Sequence, residues 1–311
     1  MERHRKQLAN TLVLTSALII AAATFLLPPS LQAQTQAQPN GIDPALLAKA
    51  KAGDADAESS IAMSYAKQGN QKESHRWHLM AAQNGNTQSM TIVAADYEFG
   101  RNVARNDGLA FNWYRKAADK GNLVAISNIG DMYEIGVGIQ QDLTQAMTWY
   151  LKAADQNYAM AQHDIGLMYY SGNGVQQDYE KAAKWFRKAA EQGLFLSQSF
   201  LGRLYEVGHG VPQDYIQAAM WYRKAAEQGD SLAQWSLSSL YESGKGVTQD
   251  YQEAYFWLNL ATASNIEGVK QEDMDSFRDE VASHLTPADL SRVQERARKW
   301  FEDHHVKANP Q

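Results

Sequence analysis

The segment Gly172–Gly193 reads GNGVQQDYEKAAKWFRKAAEQG, and its landmarks recur at a step of 36 residues. Trp185 belongs to the series Trp77, Trp113, Trp149, Trp185, Trp221 and Trp257. Gly172 stands in the series Gly100, Gly136, Gly172, Gly208 and Gly244, and Ala182 in Ala110, Ala146, Ala182, Ala218 and Ala254. Just upstream, Tyr169 keeps step with Tyr97, Tyr133, Tyr205 and Tyr241. A fixed period of this length marks a stack of like units, each burying its apolar face against the next. Such an array grows by adding units and has no single central core.

Within one unit the apolar spacing is helical twice over. Ala125, Ile129, Met132 and Tyr133 fall at i, i+4, i+7 and i+8, one face of a helix. Ala146, Trp149, Tyr150 and Ala153 fall at i, i+3, i+4 and i+7, one face of a second. Small residues at Gly130, Gly166 and Gly202 let the paired helices approach closely, while Trp and Tyr fill the space between units. The loop Gly172–Asp178 repeats as 136–142, 208–214 and 244–250. Its first glycine ends one helix, where a left-handed residue is needed. Its aspartate caps the next by accepting from free N–H groups, and Asp250 with Glu253 has the spacing of a capping box. Each unit is a helix hairpin with both ends specified.

The combined pattern is Leu/Ile-Gly-x-x-Tyr-x-x-Gly-x-Gly-Val/Ile, then Asp-Tyr/Leu-x-x-Ala, then Trp-Tyr/Phe-x-Lys-Ala-Ala. It resembles the Sel-one-like repeat family, a relative of the tetratricopeptide repeat. The resemblance implies an all-α fold, a right-handed α-solenoid of stacked helix hairpins. Six repeats are expected over residues 43–265, at about 52–85, 86–121, 122–157, 158–193, 194–229 and 230–265. Two units depart from the template. The unit with Tyr65 and Trp77 has a helix-to-helix connection four residues shorter, and the unit with Tyr97 has Asn102 and Asn106 where its neighbours have Gly and Asp.

Residues 266–311 read as a C-terminal helical cap. Met274, Phe277, Val281 and Leu285 make one stripe; Thr286-Pro287-Ala288-Asp289 starts a further helix whose buried face is Leu290, Val293, Ala297 and Trp300. Residues after His305 are expected to be loose. At the other end, Asp43-Pro44 begins the first helix, preceded by a polar spacer over residues 34–42.

Residues 1–33 read as a secretory signal. Arg3, His4, Arg5 and Lys6 precede an apolar run from Thr11 to Leu27, then Pro28-Pro29 and a small-residue site ending at Ala33. The alternative is an uncleaved anchor, since the run approaches the ~20 residues that span a bilayer. Either way the repeats are expected to be exported, to a periplasm or beyond, with membrane attachment only if the segment stays uncleaved. Formal net charge over the 311 residues is −6. The first 33 carry +2, which leaves −8 (−6 minus +2) on the rest. An acidic body argues against phosphate-backbone binding, so no nucleic-acid partner is expected. The absence of cysteine excludes disulfides, thiolate chemistry and cysteine lipidation.

No catalytic constellation is legible, and no enzyme, cofactor or metal is expected. The Gly-x-Gly loops recur in every unit and lack the strand and the Lys-Ser/Thr of a phosphate cradle. His75 with His78, and His304 with His305, have no recognisable third ligand and read as surface histidines. The lysine of each Lys-Ala-Ala (Lys116, Lys152, Lys188, Lys224) reads as solvated, its aliphatic stem along the helix. Cysteine-rich exported members of the resembled family are described as penicillin-binding or β-lactam-hydrolysing, but they carry a cysteine pair per repeat and this chain has none.

In resembling arrays the first helix of each unit lines a concave face, and its non-consensus positions meet the partner. Carried onto this chain, those positions include Thr91, Glu98, Asp131, Glu134, His163, Tyr170, Ser199, Arg203, Glu206, Trp235 and Glu242. Glu98, Glu134, Glu206 and Glu242 share one register and would form an acidic ladder interrupted by Tyr170; equally, Glu there is a soluble helix-end residue. Trp235 lies outside the 36-residue series, and reads either as a partner anchor or as packing against the cap. The expected function is an exported, non-enzymatic scaffold that binds an envelope protein through a basic or aromatic segment. The other readings are β-lactam- or peptidoglycan-directed binding or hydrolysis, as the resemblance to the cysteine-rich members would imply, and a glycan-binding module, with Tyr170 and Trp235 stacking on sugar rings.

Overall fold

The structure, a computed structural model, describes residues 41–263 and 270–308. The signal or anchor at 1–33 and most of the 34–42 spacer lie outside the described residues. Among those described, the chain is all-α, with fifteen helices and no strand. A short α1 (Pro44–Lys51) is followed by the hairpins of α2 (Ala55–Lys67) with α3 (Gln71–Gln83) and α4 (Thr87–Phe99) with α5 (Asp107–Asp119), then by α6 (Leu123–Ile135) and α7 (Leu143–Ala154), then by the hairpins of α8 (Ala159–Ser171) with α9 (Tyr179–Glu191), α10 (Phe195–Val207) with α11 (Tyr215–Ala226), and α12 (Ser231–Ser243) with α13 (Tyr251–Thr262). Two further helices close the chain, α14 (Gln271–Ser283) and α15 (Pro287–Ala308). No helix among the described residues is long and apolar enough to cross a membrane. The chain forms two compact units, residues 1–146 and 147–311, with the division inside α7.

The helix ends follow the expected chemistry. Gly172 sits at φ 73° and its N–H donates to the Met168 carbonyl. Asp178, Asp214 and Asp250 accept from the free N–H groups at the starts of α9, α11 and α13. In the degenerate unit, Asn106 caps α5 and Asn102 takes the left-handed conformation at φ 63°; asparagine tolerates that region better than most residues. The capping box at Asp250 is only half made, because the Glu253 carboxylate pairs with Arg296 on α15 instead. At Thr286 the hydroxyl accepts from the Asp289 N–H (3.2 Å) as a cap and donates to the Asp289 carboxylate (2.7 Å).

The loops carry two constraints beyond the caps. Gln141, Gln177, Gln213 and Gln249 each donate from Nε2 to a carbonyl seven residues earlier, at Glu134, Tyr170, Glu206 and Glu242, over 2.6–2.9 Å. Each thereby satisfies one orphan carbonyl at the end of the first helix. The second glycine of the loop meets the preceding hairpin: a Cβ on Gly210 would lie 2.2 Å from the Tyr179 carbonyl carbon, and on Gly246 equally close to Tyr215.

In residues 1–146, Ala50, Ala57 and Ile61 form a small core with Leu46, Leu47, Tyr65 and Trp77. Its buried polar groups are paired: both Glu58 carboxylate oxygens accept from Asn84 Nδ2 at 2.9 Å. His75 and His78 correct the surface reading, because both are buried. His75 Nδ1 lies 2.5 Å from Asp96 Oδ2, and His78 Nδ1 lies 3.0 Å from Ser89 Oγ. Histidines on the face between hairpins are held by partners on the next helix, which helical spacing alone does not reveal.

In residues 147–311, α8 to α13 repeat the hairpin three times. Gln162, Gln198 and Gln234 are buried and donate to the carbonyls of Ala154, Ala190 and Ala226, tying each first helix to the end of the preceding hairpin. The cap forms as expected: Met274, Val281, Val293 and Ala297 are buried, and α14 and α15 both pack on α13. Arg296 lies over the Phe256 ring and His284 stacks on Tyr251. Helix α15 runs to Ala308, beyond His305 where the sequence reading expects a loose end. The Lys-Ala-Ala lysines do more than lie in water. Lys188 and Lys224 place Nζ 4.1 and 4.2 Å from the ring centres of Trp185 and Trp221, a cation–π contact of about 0.5–1 kcal/mol at exposed sites.

Gly210→Ala is expected to cost about 3 kcal/mol or more, combining left-handed strain with a backbone clash. Gly193→Ala, at φ 92° with nothing within 4 Å of the added carbon, is expected to cost about 1 kcal/mol. Urea midpoints of the two variants check this; equal losses would remove the stacking role of the second glycine.

Candidate partner-binding groove

One groove of about 510 Å³ opens in residues 147–311, lined by Tyr170, Ser199, Phe200, Arg203, Glu206, Val207, Tyr222, Leu232 and Ser236. These side chains come from the first helices of three successive hairpins, α8, α10 and α12, with Tyr222 rising from α11 behind them. Four residues singled out from sequence therefore meet in one place: Tyr170, Ser199, Arg203 and Glu206. The volume falls within the range of ordinary binding pockets, about 300–1,000 Å³.

A missing side chain sets the depth of the groove. A Cβ on Gly202 would lie 2.8 Å from the Tyr222 ring, and one on Gly166 would lie 2.6 Å from Phe186. The bare helix face admits each ring against the backbone and buries it completely. Tyr222 then reaches past α10, and its hydroxyl donates to Glu206 Oε2 at 2.6 Å while Ser236 is its second partner. Burial, then the Glu206 carboxylate, push the Tyr222 phenol above its ordinary range. The same network stands in the other unit, where the Tyr114 hydroxyl donates to Glu98 at 2.8 Å and Asn128 is the second partner. Burial pushes the Glu98 carboxyl up, and the Tyr114 hydroxyl opposes that shift.

The register of the supposed acidic ladder is thus occupied from within at Glu98 and Glu206. Tyrosine follows glutamate by sixteen residues at Tyr114, Tyr150 and Tyr222, whereas Tyr170 is followed by Phe186 and Glu242 by Leu258. Where glutamate gives way to Tyr170, the hydroxyl that would bond it is absent too. In its place stands an aromatic cluster: Tyr170 lies 5.5 Å from Phe200 and 5.3 Å from Tyr179, and Phe186 stacks on Phe200 at 5.0 Å.

The remaining sequence candidates separate. His163 is 3% exposed, between Phe186 and Phe200, with Nδ1 2.9 Å from Ser197 Oγ. It corrects the expectation of a partner-facing residue, because the aromatic cluster covers it. Trp235 packs edge-on against Phe277 of the cap at 5.3 Å and joins Met274 and Ala261, outside the groove. Glu242 lies near the end of α12, also outside the groove lining. Thr91, Glu98, Asp131 and Glu134 belong to residues 1–146; Thr91 is buried and its hydroxyl donates to the Thr87 carbonyl. Sequence reasoning missed Phe200, Val207 and Leu232, three groove residues that mimic ordinary packing positions. Val207 is 50% and Leu232 37% exposed, and their place together in one depression is what distinguishes them.

Desolvation holds the His163 imidazole down to about 3, so it is neutral in the fold, whereas the unfolded chain protonates it below about 6.5. The unfolded state therefore binds more protons between those values, and this residue's contribution to stability falls as pH drops through that window. His78, lowered to about 4 by burial, acts in the same direction. His163→Asn is expected to flatten the loss of stability between about pH 6.5 and 4.5. Urea midpoints across that range test it, and an unchanged slope would mean that the imidazole is not held neutral.

Comparison with known proteins accords with this geometry. The Sel1 repeat model matches residues 64–86, 87–122, 123–158, 159–194, 196–230, 231–265 and 283–302, the last falling mainly on α15 of the cap. A Sel1 repeat protein from Oxalobacter formigenes is 29% identical over 78% of this chain and 99% of its own, with a TM-score of 0.66. The protective antigen c5321 of uropathogenic Escherichia coli, described as displaying an SLR fold, is 25% identical over 85% of this chain and 72% of its own, at a TM-score of 0.47. Immunity protein Pa5087 from Pseudomonas aeruginosa is 21% identical over 71% and 83%, also at 0.47. No curated protein sequence shows significant similarity. With helix hairpins, capped loops and family matches over most of its length, this chain belongs to the Sel1 repeat family.

Proposed function

We propose that this chain is an exported, non-enzymatic scaffold of the bacterial cell envelope, and that it holds a partner polypeptide in the groove formed by α8, α10 and α12. One observation carries the reading: Val207 and Leu232 stay exposed beside Tyr170 and Phe200 in a preformed depression. Exposed apolar side chains gathered in a concavity favour a partner that covers them, because each removed from water contributes about 25 cal/mol per Å². The polar groups of the groove support binding rather than catalysis. The Ser199 hydroxyl donates to Asp230, and Tyr222 and Glu206 bond to each other. No histidine lines the groove to activate a nucleophile. A sugar-stacking role has less support, since Trp235 packs against the cap, outside the groove.

A photocrosslinker at position 232 in cells is expected to capture a distinct protein, and one at exposed Lys188 is not. Val207→Asp is expected to weaken binding of that purified protein by tenfold or more. Capture without sensitivity to Val207→Asp would place the interaction elsewhere on the chain.

The export half of the proposal rests on the amino-acid sequence of residues 1–33. Joined to alkaline phosphatase, residues 1–41 are expected to yield active enzyme in the periplasm. A mature chain beginning at Gln34 would establish cleavage, retention at full length in the membrane would establish an anchor, and inactive fusion would end the export reading.

A further inference from the structure

The groove carries two charges: the Glu206 carboxylate, one oxygen of which is held by the Tyr222 phenol, and the Arg203 guanidinium, which has no protein partner among the described residues. Its polar lining reduces almost completely to internal bonds. Ser236, Tyr222 and Glu206 form one hydrogen-bonded chain. Ser199 donates to Asp230 (3.1 Å), whose carboxylate also caps α12 through the Ala233 N–H (2.6 Å). Arg203 is exposed and makes neither hydrogen bond nor ion pair among the described residues. It is the sole lysine or arginine on α8, α10 and α12. The equivalent positions on the flanking helices are Leu167 and Ser239, so the cation occurs once in this part of the array. It stands beside the place where Tyr170 replaces the usual glutamate, which removes a carboxylate that would oppose an incoming one.

We propose, resting on the groove reading above, that the partner segment is acidic: a carboxylate of Asp, Glu or a chain terminus meets Arg203, and a neighbouring aliphatic or aromatic side chain seats on Phe200, Val207 and Leu232. This reverses the expectation of a basic segment. A cation would find one oxygen of Glu206 already bonded to the Tyr222 phenol and would share the groove with the Arg203 guanidinium. A guanidinium binds carboxylate in a planar, two-pronged geometry, so the pairing sets direction as well as charge. The acidic balance of the whole chain slows the encounter of an acidic partner, so the preference is local and belongs to the bound state.

The test selects random seven-residue peptides on the full chain. Selected peptides are expected to carry Asp, Glu or a required free C-terminus within three positions of Leu, Ile, Phe or Trp. A synthetic copy of such a peptide is expected to lose at least tenfold in affinity on Arg203→Glu and to regain it when its acidic residue is changed to lysine. Val207→Asp reports on the groove independently. If Val207→Asp abolishes binding but the peptides are basic or uncharged and Arg203→Glu changes affinity less than twofold, the groove stands and the acidic partner is overturned. If neither Val207→Asp nor Tyr170→Ala alters affinity, the groove reading itself falls. Arg203 and Val207 are both exposed, so neither substitution is expected to disturb folding.

Discussion

An aromatic ring laid on a helix that has no side chain beneath it is the contact on which the rest of the hairpin depends. At Gly202 and Gly166 the rings of Tyr222 and Phe186 occupy the space where a Cβ would be. That close approach sets the separation of the two helices and buries each ring fully. It also carries the Tyr222 hydroxyl through to the far side, where Glu206 and Ser236 receive it. Packing and polar pairing at this point form one arrangement. A larger residue at Gly202 would displace the ring, leave the half-buried Glu206 carboxylate without its donor and alter the wall of the groove together.

The groove follows from how those bonds are distributed. In the regular unit a glutamate sits at the helix end and a tyrosine sixteen residues later satisfies it, as Glu98 and Tyr114 do. In the unit containing Tyr170 both members change and the polar link becomes an aromatic cluster with Phe186 and Phe200. The next unit keeps its bond between Tyr222 and Glu206, so the apolar opening is bounded there by a paired polar group. Val207 and Leu232 stay in water because no residue of the cluster reaches them. Specificity in repeat proteins arises in this way: a constant frame keeps its stacking contacts, and one unit exchanges a structural bond for an accessible surface.

Buried polar groups explain why several residues looked functional in sequence. His163 breaks the local pattern and lies on a first helix, which makes it resemble a ligand position. The structure gives it a packing role, with two aromatic neighbours and Ser197 at its ring nitrogen. His75 and His78 misled in the opposite sense: charge-bearing side chains on a polar-looking helix, they are buried against α4 by Asp96 and Ser89. The partner lies on another helix in all three cases. A one-dimensional pattern cannot express that pairing.

The amino-acid sequence by itself determined the hairpin, its period, its end caps and the terminal cap, because each depends on residues close together in the chain. Gly172 needs only its own left-handed backbone, Asp178 only the next N–H groups, and Met274 with Val281 only helical spacing. The sequence also marked Tyr170, Arg203 and Glu206 as departures or unexplained positions. Tertiary structure decided which of them remain available. Glu206 is taken by Tyr222, Trp235 by Phe277, and His163 by the cluster around it, whereas Arg203 has no hydrogen bond or ion pair among the described residues. The physical reason is that a side chain's free valence is settled by what stands opposite it on another helix, and the opposing residue lies from 16 to more than 40 positions away.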